Sequence, residues 1–359
     1  MRAALLLALL LAGKALALEV RVLVASGPEL EVALDGPHTL WTPGGPLAKS
    51  EGPARYRVRL ADGWVVVSGK RVGGKVSFVP RSGGFRLGTR RYPGFLRVIA
   101  RDGRLLAVNV VEIEDYLAGV LPGEMPAWFP LEALKAQAVI ARTYALGKLG
   151  SDPDYDLTAD SQHQVYLGTA THPAYRRAVR ASRERVLAYR GALARAVYHA
   201  DYGGTTASSL EVWGRSFPYL VSRPDPYTRA RSWTFSPGAA AVARALSAAG
   251  FELGRVRGME VVWRTGSGRV GGLRISGDRG QILLEVPQVT SFLRGLGLPS
   301  TLAELTGPLS FRGRGEGHGV GLSQWGAKGM AERGFNFREI LGHYYPGTAL
   351  APYVVEAPR

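Results

Sequence analysis

Short runs of alternating or wholly apolar residues fill the first third of the chain and predict a β-rich region over residues 19–112. Glycine and proline clusters separate these runs, as expected where strands end in turns. Asp102 and Gly103 stand between the last two runs, and this pair favours a two-residue hairpin. The runs that we interpret as strands are 20–24, 55–60, 64–67, 95–99 and 105–108.

After residue 112 the apolar positions recur with helical spacing. Pro130 suits the first residue of a helix, because its missing N–H would lack a partner there anyway, and Gly150 is placed to end that helix. Asn336 with Glu339 favours a capped start for the final helix. The pattern predicts helices over 113–121, 131–149, 171–185, 238–250 and 323–333, with strands near 186–189, 194–198 and within 258–287.

Residues 1–17 have the composition of a secretory signal peptide. Arg2 precedes an apolar run over 3–12, and a small-residue cleavage site ends at Ala17. The run is shorter than the roughly 20 residues that span a bilayer. We therefore expect cleavage after Ala17 and export to the periplasm, the cell envelope or the medium. Because Lys14 interrupts the apolar stretch, an uncleaved anchor is the alternative, which would make the protein peripheral to the membrane at most.

Composition narrows the class of partner. The chain has 359 residues, no cysteine and a formal net charge of +16. The absence of cysteine excludes disulfides and cofactors held by thiolates. A basic exported protein is attracted to anionic polymers and surfaces. Because the arginines are scattered and no nucleic-acid-binding motif is recognisable, we expect a cell-wall or envelope partner and not nucleic acid.

Glu124 is the strongest candidate for chemistry. It lies in the segment 121–130, LPGEMPAWFP, where its neighbours are apolar or small. Loss of hydration raises the pKa of a carboxyl group, and a raised pKa suits a general acid near neutral pH. The alternative is a solvated glutamate in a proline-rich turn before a helix.

Further polar side chains gather in four segments. The helix predicted after Glu124 is apolar on most sides, so its polar residues must be hydrogen-bonded, either within a site or to backbone carbonyls. Hydroxyls, glycines and aromatic residues near 160–168 and 198–213 suit a sugar-binding groove or a polar turn. Five glycines within 315–326 allow the backbone to approach a ligand or another segment closely. The candidate substrate-binding residues are Gln137, Arg142, Tyr144, His163, Gln164, Tyr166, His199, Gly203, Gly204, Thr205, Ser208, Trp213, His318, Ser323, Gln324 and Trp325.

The spacing of these residues argues against a metal, a phosphate loop or a catalytic serine. None of the histidines in these segments has H-x-x-x-H or H-E-x-x-H spacing. The glycines lack the G-x-x-x-x-G-K-[ST] pattern, and no candidate serine has the G-x-S-x-G context. We expect neither a metal nor a cofactor.

Residues 113–149, 160–220 and 315–350 together resemble the SpoIID/LytB family, which comprises stage II sporulation protein D and the amidase enhancers. The words that carry the resemblance include GEMP at 123–126, HQVY at 163–166, GHGVGLSQWGA at 317–327 and HYYPG at 343–347. They occur in the expected order and cover most of the chain after residue 90. Some relatives bind zinc through cysteines near the HQVY word, but this chain has no cysteine there.

The resemblance implies a lytic transglycosylase that acts on peptidoglycan glycan strands. Such an enzyme cleaves between N-acetylmuramic acid and N-acetylglucosamine, prefers strands without peptides, and leaves 1,6-anhydro ends. The family's acid in the E-M-P word corresponds to Glu124, which would be the single general acid and base. The alternatives are a non-catalytic glycan-binding module that enhances a cell-wall amidase, and a secreted structural protein.

Taken together, these patterns predict an α+β fold with a helical catalytic core flanked by β-rich N-terminal and inserted segments. The oligomeric state is left open. We divide the chain into a signal peptide, a β-rich N-terminal region, a helical and mixed catalytic core, a β-rich insertion with a helix, and a glycine-rich loop with C-terminal helices that completes the core. In that order the segments are 1–17, 18–112, 113–237, 238–312 and 313–359.

Overall fold

The computed structural model describes residues 18–228 and 230–353. The predicted signal peptide at 1–17 lies outside the described residues, so its cleavage stays a prediction. Of the helices in the described ranges, none has the length and apolar character needed to cross a membrane.

The N-terminal region is built from strands, as the alternating pattern predicts. They form a seven-stranded sheet of order β13-β1-β12-β11-β8-β3-β4 and a six-stranded sheet of order β10-β9-β2-β5-β6-β7. The strands are β1 (Glu19–Gly27), β2 (Glu29–Leu34), β3 (His38–Thr42), β4 (Gly45–Ser50), β5 (Ala54–Ala61), β6 (Trp64–Val67), β7 (Lys70–Gly73), β8 (Lys75–Pro80), β9 (Phe85–Leu87), β10 (Arg90–Tyr92), β11 (Phe95–Arg101), β12 (Arg104–Glu112) and β13 (Leu157–Thr158).

The hairpin between β11 and β12 confirms the prediction made from Asp102 and Gly103. Arg101 pairs with Arg104, so the turn has two residues. Asp102 has φ 50° and Gly103 has φ 74°, which is the backbone geometry that favours this residue pair in tight hairpins.

The helices follow the predicted positions with shifted ends, and two of them were not predicted. Their bounds are α1 (Ile113–Glu124), α2 (Leu131–Leu146), α3 (Pro173–Ala181), α4 (Ser209–Trp213), α5 (Ala239–Ala248), α6 (Gln288–Gly295), α7 (Gln324–Glu332) and α8 (Phe337–Tyr344).

Several predicted boundaries were wrong by a few residues. Helix α1 continues to Glu124 and includes Pro122 in its last turn, at the cost of one hydrogen bond to the preceding turn. Helix α2 begins after Pro130, which is extended and serves as the N-cap, and it ends at Gly147 instead of Gly150. The capped start of α8 is confirmed, since Asn336 and Glu339 form a reciprocal capping box.

The remaining strands form four small sheets of two or three strands each. These have the orders β15-β14-β24, β16-β23, β17-β22-β21 and β18-β19-β20. The strands are β14 (Arg185–Tyr189), β15 (Ala192–Leu193), β16 (Tyr198–His199), β17 (Ser232–Phe235), β18 (Val256–Arg264), β19 (Val270–Gly277), β20 (Gly280–Glu285), β21 (Ala303–Gly307), β22 (Ser310–Arg314), β23 (Leu322–Ser323) and β24 (Ala349–Pro352). The predicted strand at 194–198 was wrong, because those residues mostly connect β15 to β16.

Buried apolar residues fall into one large cluster, a second one, and a small third. The large cluster joins both N-terminal sheets to α1, α2, α3, α7 and α8. The second lies within residues 242–311, under α5 and α6 and between the sheets of the insertion. The mixture of helices and strands agrees with the predicted α+β class. The assignment of catalysis to the helical part and the division into five segments stay predictions.

Candidate active site

Helix α1 carries Glu124 to the place where three parts of the chain meet. Glu112 caps the start of the helix by accepting from the N–H groups of Glu114 and Asp115. At the other end, Met125 turns into an extended conformation and Glu124 becomes the last helical residue. Gly123 lets the helix press against the segment after β13, since a Cβ there would lie 2.6 Å from the carbonyl oxygen of Val165.

Two neutral donors hold the Glu124 carboxyl group. The hydroxyl of Tyr198, on β16, donates to Oε1 at 2.8 Å. The side-chain amide of Gln324, the first residue of α7, donates to Oε2 at 3.2 Å. Tyr198 and Gln324 are therefore the side chains that fix the carboxylate in position.

Burial raises the pKa of Glu124 above that of an ordinary glutamate. Hydrogen bonds from Tyr198, Gln324 and the backbone of Val165 favour the ionised form and act in the opposite direction, without cancelling the effect of burial. The end of a helix also disfavours a carboxylate, because the backbone carbonyls there carry partial negative charge. No charged group contributes to the shift, so desolvation is its dominant cause.

A chain of hydrogen bonds sets the direction in which Tyr198 donates. The hydroxyl of Tyr116, on α1, donates to Oε1 of Gln164 at 3.2 Å. The amide nitrogen of Gln164 then faces the Tyr198 hydroxyl oxygen at 3.4 Å. Because Gln164 offers its N–H to Tyr198, the Tyr198 proton is directed to Glu124. Burial raises the pKa of Tyr198 well above its usual value, so this hydroxyl remains a donor.

Two exposed tryptophans lie close in sequence to Glu124 or to its hydrogen-bond partner Gln324. Trp128, four residues after Glu124, is 63% exposed, and Trp325, next to Gln324, is 41% exposed. Their ring centroids are 5.9 Å apart, and buried Phe129 supports Trp325 at 5.2 Å. The ammonium group of Lys328 lies 5.5 Å from the ring of Trp128. This arrangement offers flat apolar faces beside the carboxyl group.

Two histidine rings, one of them from the residue after Tyr198, pack against each other at a tilt. The ring centroids of His199 and His318 are 5.2 Å apart. Nδ1 of His199 lies 3.1 Å from the carbonyl oxygen of Val320 and donates to it, whereas Nδ1 of His318 accepts from the N–H of Val320 at 3.0 Å. Burial lowers the pKa of His199 and takes that of His318 to about 4, so both imidazoles are neutral near pH 7.

The glycines of 315–319 allow close packing against neighbouring protein segments. Gly317 has φ 114°, and a Cβ there would lie 2.6 Å from Cβ of His199. At Gly319, with φ 85°, it would lie 2.6 Å from Cζ of Arg269. Of the two uses that the sequence left open for these glycines, approach to another segment is the one observed at both positions.

Comparison with known proteins shows the family to which this chain belongs. Residues 101–189 match the family model described as Stage II sporulation protein, and residues 212–321 match a Domain of unknown function (DUF8618). The Stage II sporulation protein D of Bacillus subtilis is 30% identical over 273 residues, which cover 68% of this chain and 76% of that protein. The chain belongs to the SpoIID/LytB family.

Two other relatives differ in length and naming. An uncharacterized protein of Brachyspira hyodysenteriae is 31% identical over 277 residues, covering 75% of each chain. The Amidase enhancer of Bacillus subtilis is 32% identical over 298 residues, covering 66% of this chain but only 40% of the enhancer. Much of that SpoIID/LytB relative therefore has no counterpart in the alignment.

Three of the predicted binding residues lie on α2, and one of them has an evident structural partner. Arg142 is fully buried and binds Glu114 through two nitrogens, at 2.9 and 2.6 Å. Gln137 is also fully buried, and its amide atoms have no hydrogen-bond partner within residues 18–228 and 230–353. Tyr144 lies two turns further along the same face, half-buried, with its ring centroid 6.4 Å from that of His163.

Other predicted residues satisfy local backbone or core groups. The hydroxyl of buried Tyr166 donates to Asn109 at 2.9 Å. Nδ1 of His163 accepts from the backbone N–H of Thr158 at 3.0 Å. Ser208 and Ser323 cap the starts of α4 and α7.

The remaining predicted residues differ in how they relate to the hydrogen-bond network of Glu124. Trp213, on α4, packs against His318 with ring centroids 5.3 Å apart and the ring planes tilted. Gly203, Gly204 and Thr205 line a cavity that has no lining residue in common with the hydrogen-bond network of Glu124. Gln164, Gln324 and Trp325 are the predicted binding residues that the structure brings into this network or next to it.

Sequence reasoning missed three residues of the candidate site. Tyr198 and Tyr116 stand in words shared with the SpoIID/LytB family, and Trp128 follows the GEMP word, so a signal was present. Among the described residues, no three histidine, aspartate or glutamate side chains approach closely enough to hold a metal ion. The expected lack of a metal stays a prediction.

Proposed function

We propose that this chain is a peptidoglycan lytic transglycosylase in which Glu124 is the single general acid and base. Membership of the SpoIID/LytB family supports a role in the cell wall. The observation that carries the finer proposal is the desolvated Glu124 carboxyl group, with its raised pKa, held by two neutral donors beside exposed tryptophans.

In the first step, protonated Glu124 gives its proton to the oxygen that bridges N-acetylmuramic acid and N-acetylglucosamine. The bond from C1 of the muramic acid to that oxygen breaks, and the N-acetylglucosamine leaves with a free hydroxyl group. Positive charge develops on the muramic acid ring, and Glu124 becomes a carboxylate. Tyr198 and Gln324 are already directed at its two oxygens and stabilise the new charge without rearrangement.

In the second step, the Glu124 carboxylate takes the proton from the C6 hydroxyl of the same muramic acid. Its O6 attacks C1 and closes the 1,6-anhydro ring, which restores protonated Glu124. No water is consumed, and one strand gives two products. The pKa must suit both a donor and an acceptor, and opposing effects of burial and hydrogen bonding meet that requirement.

A hydrolysing glycosidase differs in needing two carboxyl groups on either side of the scissile bond. Among the described residues, the side chains hydrogen-bonded to Glu124 are those of a tyrosine and a glutamine, and no charged group perturbs its pKa. In the intramolecular reaction the nucleophile is a hydroxyl group of the substrate, and the Glu124 carboxylate activates it. No second carboxyl group is needed. The site therefore supports the intramolecular reaction better than hydrolysis.

The test is mass analysis of purified glycan strands incubated with the wild type and with Glu124→Gln. We expect the variant to fold and to bind glycan but to release anhydro ends about 10²- to 10⁴-fold more slowly, because it lacks the transferable proton. Glu260→Gln, an exposed change on β18, is the control and should leave the rate unchanged. Full activity of Glu124→Gln would refute the proposal.

A second candidate function is a glycan-binding module that enhances a cell-wall amidase. The likeness to a protein named Amidase enhancer and the exposed tryptophans favour it. In that case Glu124→Gln would leave amidase stimulation intact, while loss of Trp325 would weaken glycan binding. Measuring stimulation of a purified amidase by both variants separates the two functions.

A further inference from the structure

An arginine-lined cavity of about 650 Å³ opens at the edge of the insertion, away from the Glu124 network. Backbone from the loop after β16 forms one wall, at Gly203 and Gly204. The side chains that give the cavity its character are Thr205, Ser232, Arg264, Glu304, Arg312 and Arg314. The three arginines outnumber the one carboxylate, so the cavity is positively charged.

The three arginines differ in the hydrogen bonds and ion pairs that their guanidinium groups already form within the protein. Arg264 is held in place, because its two terminal nitrogens donate to the carbonyl oxygens of Gly268 and Ala303, both at 2.9 Å. Arg312 forms an ion pair with Glu304 at 3.3 Å, but both side chains are well over half exposed, so this pair is weak. The Arg314 guanidinium has no hydrogen-bond or ion-pair partner in the described part of the chain. Arg312 and Arg314 are thus available to a ligand.

Residues that line this cavity are chain neighbours of residues that line a smaller one. A second cavity, of about 240 Å³, lies next to Trp325 and is lined by Arg231 and Glu316. Arg231 precedes Ser232 in the chain, Ser232 pairs with Arg314, and the N–H of Gly315 donates to the carbonyl oxygen of Arg231 at 2.9 Å. The ends of β17 and β22 therefore wall both cavities.

These contacts define a path from the acid to the arginines. Gln324 binds Glu124, its neighbour Trp325 borders the smaller cavity, and Arg231 of that cavity precedes Ser232 of the larger one. A polymer that presents one bond to Glu124 would lay its flanking units along this path.

We propose that the arginine-lined cavity is a subsite that binds carboxylate groups of the polymer at a distance from the cleaved bond. The identity of the polymer rests on the proposed function. Guanidinium groups bind carboxylates through paired hydrogen bonds, whereas the hydroxyl and acetamido groups of the sugars carry no charge. The carboxylates come from the lactyl groups of peptide-free strands or from the stem peptides of intact ones.

The test measures binding by proteins that carry Glu124→Gln, so that no turnover occurs. The double change Arg312→Ala with Arg314→Ala should weaken binding of peptide-free glycan roughly 2- to 30-fold at low salt, as expected for two exposed ion pairs. The same strands with esterified carboxyl groups should bind both proteins equally. Arg312→Lys with Arg314→Lys keeps the charge and should restore part of the affinity.

The matched control is Arg255→Ala with Arg257→Ala. It removes the same charge at the start of β18, from Arg255 just before the strand and from Arg257 within it, outside the arginine-lined cavity, and should leave affinity unchanged. A loss seen only with peptide-bearing strands would also support the subsite and assign the carboxylates to the stem peptide. The proposal would be overturned if Arg312→Ala with Arg314→Ala bound glycan as tightly as the control variant. It would also be overturned if that cavity variant lost as much affinity for esterified glycan as for the unmodified strands. If the wild type binds through these arginines but releases no anhydro ends, the reaction fails and the subsite stands.

Discussion

Replacing Tyr198 by phenylalanine tests how the site balances the two tasks of Glu124. The change removes the hydroxyl that donates to Oε1 at 2.8 Å and keeps the ring. This donor favours the carboxylate, so its loss leaves burial less opposed and raises the pKa of Glu124 further. The pH dependence of cleavage should shift accordingly.

The magnitude follows from the hydrogen bond that is lost. A hydrogen bond to a charged group contributes about 1.5–3 kcal/mol. Because 1.4 kcal/mol is a factor of ten, the acid form should gain about 10- to 150-fold over the carboxylate. Glu124 must be protonated in the free enzyme, so kcat/KM falls as pH rises through its pKa. In Tyr198→Phe this fall should move up by roughly one to two pH units.

The assay is release of anhydro ends from peptide-free glycan at a series of pH values. Tyr166→Phe is the matched control, because it also removes one buried tyrosine hydroxyl, one bonded to Asn109 instead of Glu124. The control should leave the pH profile in place. A profile of Tyr198→Phe that stays put, or that moves to lower pH, would refute the role assigned to this hydrogen bond.

Three further predictions concern residues in the protein around the candidate site. Arg142→Met should lower the free energy of unfolding by about 3–5 kcal/mol in urea titrations, because it leaves Glu114 without its buried partner; no loss would contradict a structural role. Gly319→Ala should destabilise by more than about 1 kcal/mol, as seen in thermal melts, because φ is 85° and the new Cβ would collide with Arg269; an unchanged melt would count against this packing. Trp325→Ala should weaken glycan binding about 2- to 10-fold in a pull-down, whereas the equally exposed Trp64 should be replaceable without effect; equal losses would argue against stacking at Trp325.

Local features of the fold could be predicted from the sequence because neighbouring residues determine them. The Asp102-Gly103 turn and the Asn336–Glu339 capping box depend on side chains within a few positions of each other. Helix α4 carries the same kind of signal, since Ser208 and Glu211 form a capping box, but the sequence suggested only a sugar-binding groove or a polar turn there. Its short length hid the helical periodicity.

The arrangement of the candidate site could not be predicted in the same way. Tyr198 lies 74 residues from Glu124 in sequence, and Gln324 lies 200 residues away. Only the packing of β16 beside β23 and α7 brings these donors to one carboxyl group. The residue types suggested chemistry, whereas their partners depended on the tertiary fold. Arg142 illustrates the converse. Its polar character suggested a substrate-binding role, but its guanidinium group is bound to Glu114.

The histidines near the site bear on whether Glu124 alone carries the proton. His318 has a pKa of about 4, and burial lowers the pKa values of His199 and His163 as well. Near pH 7 these lowered pKa values favour the neutral imidazole, which is a poor acid. A fall in kcat/KM as pH rises through the raised pKa of Glu124 should therefore persist in His318→Gln, whereas Glu124→Gln should lose the activity itself. If the fall instead vanished on removal of His318 while activity remained, the proton would come from the imidazole, and desolvation of Glu124 would not explain the chemistry.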